Sequence, residues 1–382
     1  MNDLIKTKIN IVDDPIQKLP SIDFTILDGL RGIAAVYVVF NHARGNLFIG
    51  GVKYAQIKNM SLWSMSEKLY FSALQCTALG REFVILFFIL SGFSIAFSLN
   101  GKPKVTGFYI RRLIRIYPPY LIALIWAFVV FMVIQTFMPI ALPKNVSSVF
   151  NSFGSAVKNI FYMDNGYPIA QFWSLKFEVI FYLFIPFFIL QRNLYFVVSF
   201  ILEIIALYIN WKDVSGGGIF AQYILDYNIY FAIGVFCYFN YEKIKSLFIL
   251  KNKFHFYAIA IFLFFVMIVF KFLIKYDQNK YSLVIASLFS ILLLFNFLHH
   301  KIKNNLLLFF GKISYTIYIT HFASLILLVA IFIKLGVVDS IEIKNKFLWL
   351  AGIPFAVGIS YLFYLLVEKP SKDLLIKLRK KN

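Results

Sequence analysis

Arg31 and His42 are the first residues in the chain whose types and spacing could do chemistry. Both interrupt one apolar run, which reads Leu27-Asp-Gly-Leu-Arg-Gly, then apolar residues, then Asn41-His-Ala-Arg44. They stand eleven residues apart. At about 100° per residue that is three turns plus about 20°, so a helix puts both on one face, about 16 Å apart along its axis. Histidine, with an unperturbed pKa near 6.5, is suited to take a proton from a hydroxyl near neutrality. Arg112 and Arg115 lie three apart in Phe108-Tyr-Ile-Arg-Arg-Leu-Ile-Arg-Ile-Tyr-Pro-Pro119 and project from one side of a helix. Their guanidinium forks suit the paired oxygens of phosphates. Pro118 and Pro119 are expected to bend or restart the chain there.

Glu178 lies about seven residues into the apolar run that opens Gln171-Phe-Trp-Ser-Leu-Lys-Phe-Glu178, or about 10 Å deep. Counted from the other side, His42 stands about 21 Å up in a hydrocarbon core about 30 Å thick. The two are expected to share a depth, where a carboxylate could orient the histidine as a general base. Ser314, Tyr318 and His321 follow helical spacing as one polar stripe, which either lines a cavity or makes a hydrogen-bonding seam between helices. Plainer roles stay open. Arg31, Arg112 and Arg115 could anchor at lipid headgroups, and Glu178 could pair with Lys176 or an arginine between helices.

The elements that position these residues follow from composition. Of 382 residues, 60% are hydrophobic, 19% aromatic and only 15% charged, with a mean hydropathy of +0.77. A soluble domain carries about 25% charged residues. The fold class is therefore all-α: a polytopic membrane protein with about ten transmembrane helices. The expected spans are 27–46, 82–99, 118–139, 172–190, 194–210, 220–239, 255–274, 281–299, 313–333 and 347–367. The segment 68–81 is too polar to cross and reads as a surface or re-entrant piece. An ionisable group inside a span costs about 2.5–3.5 kcal/mol on insertion scales, so each is a functional hypothesis.

The formal charge is +20. The Lys and Arg lie mostly in short runs between apolar stretches, which sets topology and argues against a nucleic-acid partner. Their distribution predicts both termini in the cytoplasm. Residues 1–25 read as a cytoplasmic tail with no signal peptide, 26–368 as one membrane domain and 369–382 as a basic cytoplasmic tail. Cys76 and Cys237 have no metal or redox spacing, so no metal is expected.

Six motifs, taken together, resemble the acyltransferase type 3 family of bacterial membrane acyltransferases. They are Leu27–Ala35 with His42, Phe87-Phe-Ile-Leu-Ser-Gly-Phe93, Arg111-Arg-Leu-Ile-Arg-Ile-Tyr-Pro118, Trp173-Ser-Leu-Lys-Phe-Glu178, Ile313-Ser-Tyr-Thr-Ile-Tyr-Ile-Thr-His321 and Glu368-Lys-Pro370. They occur in family order over nearly the whole chain. Lys176, Phe177 and Lys369 depart mildly from the family pattern. The resemblance implies the stand-alone form, without an extra extracytoplasmic domain, in a bacterial inner membrane. It implies acyl-coenzyme A, acetyl-coenzyme A by default, as a cytoplasmic co-substrate rather than a resident cofactor. The acceptor it implies is a hydroxyl of a cell-surface glycan.

The expected site thus has His42 and Glu178 as catalytic residues, and Arg31, Arg112, Arg115 and Arg111 toward acyl-coenzyme A. Ser91, Trp173, Ser174, Tyr315, Tyr318 and His321 are expected to line the cavity. Two other classes compete. One is a transporter or flippase for a lipid-linked glycan, against which stands the absence of a visible inverted repeat. The other is a glycan polymerase, which would carry a long outer loop.

Overall fold

The computed structural model describes residues 22–99, 105–141, 160, 172–185, 191–208, 222–273 and 280–381. Most of the expected N-terminal tail lies outside these residues. Among them there is no β-strand, only an isolated bridge between Phe48 and Ile343. The helices are α1 (Phe24–Leu47), α2 (Gly50–Ile57), α3 (Met65–Leu74), α4 (Gly80–Leu99), α5 (Val105–Phe137), α6 (Trp173–Leu183) and α7 (Arg192–Tyr208). A π-turn (Tyr223–Tyr227) leads into α8 (Asn228–Phe239), followed by α9 (Tyr241–Phe248), α10 (Lys253–Leu273), α11 (Lys280–His299) and α12 (Asn305–Lys334). Then come α13 (Gly352–Phe363), a second π-turn (Tyr364–Glu368) and α14 (Lys369–Lys381).

A chain in lipid must satisfy its backbone internally, which is why the apolar runs among the described residues become helices. Seven of the ten expected spans coincide with helices long and apolar enough to cross a membrane. The other three correspond to α6, α7 and the shorter apolar stretch Tyr223–Phe239. The most apolar window of α4 is 83% buried, whereas that of α10 is 17% buried, so α4 is central and α10 peripheral. Accordingly α10 shows Ile261, Phe262, Phe265 and Val269 outward, as a lipid-facing helix should.

Polar residues set the helix starts. The Asp23 carboxylate accepts from the Thr25 amide at 3.0 Å and caps α1, and the Asn304 side chain accepts from the Leu307 amide at 2.8 Å and caps α12. The segment 68–81 forms most of α3, opened by a capping box between Ser64 and Glu67, then a 3₁₀ turn (Gln75–Thr77) and the start of α4. Tyr37 donates to the Cys76 carbonyl at 2.6 Å and Asn41 to the Thr77 carbonyl at 2.9 Å, which docks this turn on α1.

Two helix crossings are close enough to require glycine. A Cβ on Gly32 of α1 would lie 2.5 Å from the Gly311 amide nitrogen of α12. Gly92 of α4 and Gly234 of α8 likewise meet each other's backbones, so the small residues expected of Phe87–Phe93 do serve close helix approach. Of the bend or restart expected at Pro118 and Pro119, the restart does not occur: helix α5 continues through them to Phe137. Neighbouring helices can sustain a span across prolines, and here the Tyr315 hydroxyl of α12 donates to the Ile116 carbonyl at 2.9 Å, gripping the helix just before them.

Candidate functional site

Two cavities lie inside the bundle and share one wall residue. The first, about 90 Å³, is lined by Arg31, Ser91, Arg112, Arg115, Ser174, Glu178, Ser314, Tyr315 and Tyr318, with Phe87, Phe88, Leu175 and Ile116 as its apolar walls. It gathers α1, α4, α5, α6 and α12. Arg31 is held in place: it donates to Asp28 at 2.7 Å, to Ser94 at 2.8 Å and to the Leu90 carbonyl at 3.2 Å. Its side chain is only 17% exposed.

Arg112 is held differently. Its guanidinium lies 5.3 Å from the Phe108 ring centre and 5.7 Å from that of Tyr182, which suits a planar, weakly hydrated cation. Arg115 is exposed. Among the described residues neither Arg112 nor Arg115 forms a salt bridge, and the carboxylate of Glu178 shares the cavity with them. Arg111 lines neither cavity; its guanidinium lies back along α5 beside Gly107.

The second cavity, about 400 Å³, is lined by Asn41, His42, Gly80, Arg81, Trp173, Tyr227, Lys271 and Tyr318, with Val38, Ala78 and Val84. That size falls in the range of small-molecule pockets, about 300–1,000 Å³. Lys271 is tied down by Glu82 at 3.0 Å, by a second contact to the Ala78 carbonyl at 2.7 Å, and Ser282 completes the group by donating to Glu82 at 3.0 Å. Arg81 lies 5.7 Å from the Tyr227 ring centre, beside the π-turn. Tyr318 lines both cavities, and its hydroxyl meets the Ser174 hydroxyl at 2.5 Å.

The expected pairing of Glu178 with His42 does not form. Glu178 faces the arginines and accepts from Tyr182 at 2.7 Å and Ser91 at 3.2 Å. The partner of His42 is His321, with Nδ1 of the first 2.7 Å from Nε2 of the second. His321 is fully buried and backs His42 rather than lining either cavity. Equal depth placed Glu178 and His42 at one level, but the direction each helix faces sends them to different cavities. Ser91, Ser174 and Tyr315 do line the arginine cavity, and Trp173 the histidine cavity.

Sequence reasoning missed Asn41, Arg81, Tyr227 and Lys271 as lining residues. Asn41 had a signal, as a polar neighbour of His42 within an apolar run. Lys271 had none, since a lysine near the end of a span reads as a topology signal.

The Acyltransferase domain family profile (Acyl_transf_3) matches residues 24–365. The chain is also similar to the acyltransferase MdmB of Streptomyces mycarofaciens, 30% identical over 178 residues. That alignment covers 44% of this chain and 38% of the relative, so it spans well under half of that protein's length. No solved structure matches the chain. With the family match extending over every helix that builds the two cavities, the chain belongs to the acyltransferase type 3 family.

Proposed function

We propose that the protein moves an acyl group, acetyl in the simplest case, from cytoplasmic acyl-coenzyme A to a hydroxyl of an extracytoplasmic cell-surface glycan such as O-antigen or capsule. The observation that carries this reading is the pair of cavities meeting at Tyr318, one lined by arginines and the other by a histidine. A polyanionic donor suits Arg112 and Arg115, which form no salt bridge among the described residues and share their cavity with the carboxylate of Glu178 alone. At about 90 Å³ the arginine cavity is too small for a nucleotide. The phosphates therefore sit at its mouth, by the exposed Arg115, and only the slender arm of the donor extends inward. Glu178, held by Tyr182 and Ser91, adds a negative charge that keeps the phosphates from following.

In the histidine cavity, a ring nitrogen of His42 takes the proton of the acceptor hydroxyl. The oxygen attacks the thioester carbonyl carbon, a C–O bond forms, the C–S bond breaks, and the proton on His42 passes to the leaving thiolate. The products are an ester and free coenzyme A. Purified protein is expected to consume acetyl-coenzyme A only when a glycan acceptor is present. His42→Ala should then lower turnover by the ~10²–10⁴-fold typical of losing an acid–base group. Glycan movement across vesicles with no donor consumption would favour the transporter reading instead. Near-normal turnover of His42→Ala would remove His42 from the mechanism.

A further inference from the structure

We propose that His321 is a positioning residue that fixes the proton of His42 on Nδ1, leaving Nε2 as the nitrogen that takes the proton of the acceptor. This rests on His42 being the base of the reaction proposed above. Nδ1 of His321 lies 2.8 Å from the Ile317 carbonyl oxygen. A carbonyl oxygen only accepts, so this nitrogen carries a hydrogen. A neutral imidazole has one such hydrogen, which leaves Nε2 of His321 with a lone pair. That lone pair faces Nδ1 of His42 at 2.7 Å.

Two lone pairs at that distance would repel, so Nδ1 of His42 must carry the hydrogen between them. The single proton of a neutral His42 is then accounted for, and its Nε2 is unprotonated. The opposite arrangement needs a second proton on His321. It would place a cation on a side chain with 0% exposure and no carboxylate hydrogen-bonded to it among the described residues, which is costly.

Packing holds the rings in register. Their planes lie within 10° with centroids 5.0 Å apart, and Phe322 meets His42 edge-on at 6.3 Å. Ile317 is one turn before His321 on α12, so the chain of hydrogen bonds is anchored in a helix that touches α1 backbone to backbone at Gly32 and Gly311. The logic is that of a nucleophile–base–orienter triad, with a neutral imidazole in place of the usual carboxylate. Once His42 has taken a proton on Nε2, its Nδ1 still donates to His321, so the dyad needs no rearrangement between the two proton transfers.

The test reads the tautomer directly. In full-length protein labelled with ¹⁵N-histidine and assigned with His42→Gln, neutral His42 is expected to show a protonated Nδ1 and a bare Nε2. His321→Met, which fills space but accepts no hydrogen bond, should lower kcat roughly 10- to 100-fold with the donor KM unchanged. That is less than the ~10²–10⁴-fold effect of removing the acid–base group itself. His321→Gln, whose amide oxygen can accept from Nδ1, should keep most of the turnover. A His42 protonated on Nε2, a Met variant with full kcat, or equal losses in the Met and Gln variants would overturn the proposal. If the Met variant fails to fold, the wild-type spectrum decides alone. The spectrum requires no turnover, so wild-type protein that transfers no acyl group would sink the proposed reaction separately.

Discussion

Arg115→Ala is expected to weaken coenzyme A binding by roughly 10- to 150-fold, the loss of one charge-assisted hydrogen bond worth about 1.5–3 kcal/mol. The structure makes this variant clean. Arg115 is exposed and forms no ion pair among the described residues, so its removal takes nothing from the fold. Arg112→Lys is the companion. It keeps the charge but loses the planar fork and the contacts with Phe108 and Tyr182, and a roughly tenfold weakening, about 1.4 kcal/mol, is expected. Because Arg115 faces solvent, its share of the affinity should fall as salt rises toward 1 M, where charges are screened beyond about 3 Å. Titration of coenzyme A into detergent-solubilised wild type and both variants measures all of this. Acceptor affinity should not change, since the histidine cavity includes neither arginine. Equal dissociation constants across the three proteins would refute the phosphate-holding role. A change in expression alone, with constant affinity, would mark these arginines as lipid anchors.

Tyr318→Phe removes the hydroxyl that meets Ser174 and strands a buried group, so thermal unfolding should show a loss of about 1–3 kcal/mol. Adding Ser174→Ala should recover much of that loss, and a double variant no better than the single would contradict the pairing. Gly32→Ala places a Cβ 2.5 Å from the Gly311 backbone and should cost at least about 1–3 kcal/mol, whereas Gly45→Ala on the same helix meets nothing within 4 Å and should be tolerated. Asp23→Ala should cost about 1 kcal/mol through loss of the α1 cap. The Thr25 hydroxyl and then Lys303 hold the Asp23 carboxyl down to about 2, below the usual carboxylate value. Its contribution is therefore complete above about pH 4 and fades as pH falls through 2, while the alanine variant should lack that acid-side loss.

Seven of the ten expected spans were legible because a helix crossing lipid must be apolar along most of its length. Among the described residues α6, α7 and Tyr223–Phe239 fall short of that length, and α5 runs on through its prolines. Helix α1 carries both Arg31 and His42, as their spacing along one apolar run implies, but the two line different cavities. Contacts between helices were not legible. Depth can be counted from each end of a span, but the direction a side chain faces depends on which helix lies beside it. Glu178 and His42 show the difference: the same level, but different cavities. His321 lies 279 residues from His42 in the chain, and nothing in either run of residues announces that the two will meet.

The ionisable residues within the bundle then divide by what they touch. Each costs a few kcal/mol to insert unless something offsets the desolvation. Glu82 and Lys271 offset it with each other, joining α4 to α10, and Arg31 does so with Asp28 and the polar atoms of α4. These groups are hydrogen-bonded across helices, and Arg31 also lines the arginine cavity. Arg112, Arg115 and His42 differ. The two arginines have rings, solvent and the Glu178 carboxylate nearby but no salt bridge among the described residues, and His42 spends one ring nitrogen on His321. Packing alone would favour replacing all three with apolar residues. What they share is a place on a cavity wall, on either side of Tyr318, and an unspent hydrogen-bonding capacity that only a bound substrate would use.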